Sequence, residues 1–280
     1  MGKPSPLLDT AKLPSFLSGA ALIFYAAAAI SGIPGVILLL SPAYRLLLLR
    51  DLIDGGIQDA SSLLTWQVIN SCITVLICVL PVIMAAGLFL ARRGRPVRGI
   101  GLLTSAAQWL VWGMYAAGCG AVLLFLFRFV RSLILNSRGP QGVVAIYSMI
   151  ISEGLMAVLA VFLFFLLRRF LNCCMDSGAS IAYTLATGKL DDRSIPGFTA
   201  TGFAVLGVLG IFLAVNRLFT LTAVINVVRS YYKLTVAGHP GLWAEAICLV
   251  LGSAGNYFLY RYLKQYKKIT EQALYTARNS

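Results

Sequence analysis

The residues best placed to do chemistry are three charges set in apolar surroundings: Glu153, Arg217 and Glu245. A carboxyl in hydrocarbon either keeps its proton through a raised pKa or finds a cationic partner, so each such group marks a candidate site. Helical rise puts Glu153 about 15 Å into its apolar run, near the middle of a bilayer. Arg217 and Glu245 fall at matching depths near the outer face. The expectation is an ion pair between them, tying the last two spans, with Glu153 as the proton- or cation-responsive group. A fifth span embedded further toward the C terminus would instead set Arg217 opposite Glu153.

Polar residues recur at helical spacing in the same runs. Gln67, Asn70, Ser71, Thr74 and Cys78 share one helix face, Thr104, Gln108, Trp112, Tyr115 and Cys119 a second, and Glu245, Cys248, Gly252 and Asn256 a third. Because polar groups avoid lipid, the three stripes are expected to look at one another. They would then line a hydrated path or ligand site, or join helices by hydrogen bonds. Small residues point to close helix approach: Ala26 to Ala29, Gly113, Gly118 and Gly120, Gly202, Gly207 and Gly210, and Gly252 with Gly255.

Other chemistry lacks its residues. The single histidine, His239, stands beside Pro240 with no acid near it, and a zincin helix needs two. There is no phosphate-cradling glycine loop followed by Lys and Ser or Thr. Asp191 and Asp192 adjoin Lys189 and Arg193 as a solvated turn, and Asp51, Asp54 and Asp59 lack the further oxygen ligands a divalent cation requires. An enzyme is not expected, nor a cofactor or metal. The cysteines at 72, 78, 119, 173, 174 and 248 form no disulfide framework. Cys173 and Cys174 follow Arg168 and Arg169 at the edge of a span, as an acylation site or as two small residues at a helix end.

The elements that must position these residues follow from composition. Of 280 residues 59% are hydrophobic and 12% charged, with a mean hydropathy of +0.84, whereas soluble domains carry about 25% charge. Half the charge needed in water is missing, so lipid must be part of the solvent. The net charge of +13 then suits anionic headgroups rather than nucleic acid.

Runs at 16–40, 63–91, 100–127, 143–167, 198–228 and 241–259 are each long enough to cross, and none shows the alternation of barrel strands. The fold class is therefore all-α, a polytopic integral membrane bundle of about six transmembrane helices. It has a short N-terminal segment (1–15), the bundle (16–260) and a basic amphipathic tail (261–280). The first run is too long for a signal-peptide core and is read as a retained span. Lys and Arg fall roughly two to one on the side holding both termini, which places both ends in the cytoplasm; the plasma membrane is the expected location.

Pro34 and Pro81 are expected to kink or end their helices, and 128–138 reads as a helix lying on the outer surface. In the tail, Leu259, Tyr262, Leu263, Tyr266, Ile269, Ala273 and Leu274 form an apolar stripe against Arg261, Lys264, Lys267, Lys268 and Glu271. That stripe is expected to rest on anionic lipid or to hold a partner protein. The functional expectation is a transporter or channel-type component for a small solute or ion. The alternative is a non-catalytic membrane subunit or scaffold that binds a partner through its tail.

Overall fold

A computed structural model describes residues 13–41, 60–136, 140–191, 197–232 and 240–279. Among these the chain forms six helices and no strand: α1 (Ser15–Leu40), α2 (Ala60–Arg92), α3 (Pro96–Asn136), α4 (Pro140–Thr187), α5 (Gly197–Tyr232) and α6 (Pro240–Asn279). Three of them open on a proline, whose fixed φ and missing N–H suit the first helical position. Glycines end two. Gly94 adopts φ +77° while the Arg95 N–H donates to the Leu90 carbonyl at 3.2 Å, closing α2; Gly188, at φ +69°, donates to the Thr184 carbonyl at 2.9 Å, closing α4.

The all-helical class stands, and the starts of the six apolar runs match the helix starts within a few residues. The ends do not. Residues 128–136 form no separate surface helix, since α3 runs unbroken to Asn136. The stretch after Leu167 stays helical to Thr187, and the tail is the second half of the 40-residue α6. Hydropathy marks where the solvent changes, whereas a helix stops only where capping residues or breakers stop it. Pro34 and Pro81 end nothing: each lies inside a helix that continues past it.

The chain divides into two compact units, Met1–Leu103 with Ala179–Ser280, and Thr104–Gly178. In the first, α6 is the central helix, with α1 and α5 packed along it and α2 packed on α1 and α6. Its core gathers Ala21, Tyr25, Leu88, Ile181, Leu263 and Tyr266. In the second, Tyr115 of α3 meets the edge of Phe164 of α4 with ring centroids 5.0 Å apart, and the Arg168 guanidinium sits over the Tyr115 ring.

The first unit distributes its residues as lipid requires. Helix α1 buries Ala21, Ala28, Gly32 and Gly35 while Ile23, Ile30, Ile33 and Ile37 face outward, Ile30 at 69% exposure against 0% for Ala28. Helix α5 buries Ala200, Gly207, Gly210 and Ala214 and turns out Val205, Val208 and Phe212. Bulky apolar side chains outside and small ones inside invert the order water imposes. Among the described residues, three stretches are long and apolar enough to cross a membrane: Ser15–Leu38, Val75–Arg92 and Gly197–Val215.

Candidate functional site

The inward face of α6 carries the third polar stripe, and the structure gives most of it partners on α1, α2 and α5. Asn256 lies one helix turn from Ser253 and accepts a hydrogen bond at Oδ1 from the Tyr25 hydroxyl of α1, at 2.6 Å. Tyr25 can come this close because its ring lies on Gly255, where a Cβ would meet ring carbons at 3.0 Å. Phe24 and Phe258 stack beside the pair at 5.3 Å between centroids.

Two turns toward the N terminus of α6, Cys248 meets Cys78 of α2 over Gly32 of α1. A Cβ at Gly32 would stand 3.2 Å from the Cys78 sulfur and 3.3 Å from that of Cys248. The Cys248 thiol also reaches the Ile77 carbonyl at 3.5 Å. Glu245 stands one turn further along the same face, 4% exposed, with Oε2 sealed from solvent. On the side of α5, the Ser253 hydroxyl presses into the space left by Gly210 and donates to the Leu249 carbonyl at 2.7 Å. The seam therefore holds a carboxyl, two thiols, an amide and a phenol in a wall of small residues.

Of the residues singled out from sequence, the structure brings Glu245 and Asn256 onto this seam and joins Cys78 to it. Gln108 belongs to the second unit, where it is exposed, as is Trp112. Gln67 and Asn70 lie on α2, Glu153 on α4 and Arg217 on α5; their side chains lie outside the described residues, and with them both expected pairings of Arg217. Among the glycines, Gly207, Gly210 and Gly255 make the close contacts their type suggests, while a Cβ at Gly113, Gly120 or Gly252 would meet nothing within 4 Å.

Three features were not read from the sequence. Tyr25 stands just before the run Ala26 to Ala29, and no pattern there pointed to a partner on another helix. Arg92 is a clamp: Nη1 donates to the Ser15 carbonyl at 2.6 Å and to Ser18 Oγ at 2.8 Å, over Gly19. The tail stripe packs inside the chain itself, with Leu263 and Tyr266 buried and Tyr262, Ile269, Ala273 and Leu274 packed against the core. Burial pushes the Tyr262 phenol up to about 12, with Tyr266 adding and Arg92 opposing, and burial also raises Tyr266. In the second unit, burial and then Cys173 push the Cys174 thiol up to about 12, which keeps it protonated and a poor nucleophile.

No protein-family model matches the chain, and no curated protein and no solved structure matches it.

Proposed function

We propose that this is a six-span protein of the plasma membrane, with both ends in the cytoplasm, that carries or conducts a small solute or ion. In this reading the seam on α6 is the working site, and Glu245 takes up and releases a proton or cation there. The observation that carries it is a carboxyl 4% exposed in a helix seam among groups that can hydrogen-bond to it or to a solute. An acid is expensive among apolar helices and is ordinarily kept for a function. Anionic headgroups meet the basic ends of the helices.

The competing reading is a scaffold that holds a partner by its tail. It is weakened because the apolar stripe such a partner would cover already packs against the chain's own core. The two readings part in proteoliposomes holding an entrapped pH dye, with a potassium gradient and valinomycin setting the potential. The transport reading expects proton flux from the native chain and its loss in Glu245→Gln, with the variant still monodisperse. Equal flux in the native chain, Glu245→Gln and Glu153→Gln, together with loss of a co-purifying protein on removal of 269–280, supports the scaffold.

A further inference from the structure

At the end of the first unit where α5 begins, a cleft opens between its first turn and the C-terminal half of α6. Its volume is ≈ 680 Å³, and its walls include Arg261, Lys264, Lys267 and Lys268 from α6, with Thr201 from α5. Pockets that hold small ligands are commonly about 300 to 1,000 Å³. Among the described residues the only acid on its walls is Glu271, and its carboxylate is engaged by Lys267 at 3.6 Å. Among the described residues, four cations against one acid leave the walls with a positive excess.

The position of Lys267 sharpens this. Its Nζ lies 3.3 Å from where a Cβ of Gly197 would stand, so an ammonium sits on the first residue of α5. Helix N-termini carry partial positive charge and favour anions, and the first turn of α5 holds no acidic residue to meet it. A cation is thus seated at the positive end of a helix beside three more cations. The arrangement is unfavourable while the cleft is empty and becomes favourable once an anion enters. Arginine and lysine together with first-turn N–H groups are a donor set that phosphate oxygens accept from, while the Thr201 hydroxyl is spent on the Gly197 carbonyl at 3.0 Å.

We propose that the cleft between the first turn of α5 and the basic side of α6 is a binding site for a phosphate-bearing anion, either a lipid phosphomonoester headgroup or free phosphate. Binding is read without flux, so this proposal and the transport reading stand or fall separately.

The test uses the full chain in nanodiscs. Inorganic phosphate and pyrophosphate are titrated into neutral phosphatidylcholine discs by calorimetry. In parallel, discs containing phosphatidic acid are compared with neutral ones for lipid retained on the protein, by native mass spectrometry. Saturable binding of the inorganic anions assigns the site to a free phosphate, and retention of phosphatidic acid alone assigns it to a lipid; either result supports the site. Arg261→Gln with Lys268→Gln should weaken the observed binding by about tenfold or more, each lost charge-assisted contact contributing. Arg95→Gln with Arg98→Gln, on the walls of a separate cleft, removes the same charge elsewhere and should leave binding within about twofold, as expected for screened charges outside the site. Glu271→Gln should tighten binding, a gain that misfolding cannot imitate. Absence of binding by all three probes, or equal loss in the two double variants, overturns the proposal.

Discussion

The hydroxyl of Tyr25 and the side-chain amide of Asn256 meet at 2.6 Å across a sequence separation of 231 residues, and this bond joins the first helix to the last. Between apolar helices such a bond has little water to compete with it, yet measured values stay modest because the separated helices find other partners. Tyr25→Phe should lower the thermal midpoint in detergent. A double-mutant cycle with Asn256→Ala should return a coupling of roughly 0.6 to 1.7 kcal/mol. A coupling of zero would mean that the two helices are held by shape alone.

Glycine positions separate contact from composition. At Gly32 even a methyl group would meet both thiols closely, so Gly32→Leu should force α1 away from α2 and α6, at a cost of about 1 to 3 kcal/mol. At Gly113 a methyl meets nothing within 4 Å, so Gly113→Ala should be neutral or stabilising by up to about 1 kcal/mol, through helix propensity. Thermal unfolding of the two variants side by side checks the contrast.

The Cys78 and Cys248 thiols are in side-chain contact on helices far apart in sequence. Mercuric ion, which two thiols can clasp, should bridge α2 to α6 in the native chain. It should protect Cys78 and Cys248 together from alkylation on unfolding, as read by mass spectrometry. Independent alkylation of the two would contradict this packing.

Alkali should weaken the basic end of the first unit. Tyr262, raised to about 12, and Tyr266, raised also, keep their protons in the folded chain at pH values where ordinary phenols, with pKa of about 10, have lost them. Folded values above unfolded ones mean that their contribution to stability is complete below the unfolded value and is lost as pH climbs through the folded one. The unfolding midpoint should therefore fall between about pH 10 and 12, and Tyr262→Phe should flatten that fall.

Arg92 ties the start of α1 to the end of α2 through two hydrogen bonds from one nitrogen. Because the group is exposed, its loss should cost little globally, about 1 kcal/mol or less. The local effect should be larger: Arg92→Gln should speed hydrogen exchange of amides in the first two turns of α1, with α5 unchanged.

What the sequence showed, and what it did not, follows from what each pattern measures. The stripe Glu245, Cys248 and Asn256 was legible because a 3.6-residue period reports a helix face, whatever that face meets. Its partners were not, since nothing in an alanine run announces that Tyr25 will reach Asn256 or that Gly32 will admit two sulfurs. The amphipathic tail was legible as a face with the wrong destination: Tyr266 and Leu263 look like a docking surface until the chain's own helices are seen to cover them. Helix ends were misread at Arg128 and Arg168 because charge was taken for a stop, although α3 runs on to Asn136 and the glycine that caps α4, Gly188, lies further on.

The most direct measurement is the location of the two chain ends. Epitope tags are placed at each terminus, and antibody access is compared in intact and permeabilised cells. An even number of spans with the basic ends inside predicts that neither tag is reached until the cells are permeabilised, when both are. Detection of one tag alone on intact cells would contradict the six-span bundle and the place of Glu245 within it.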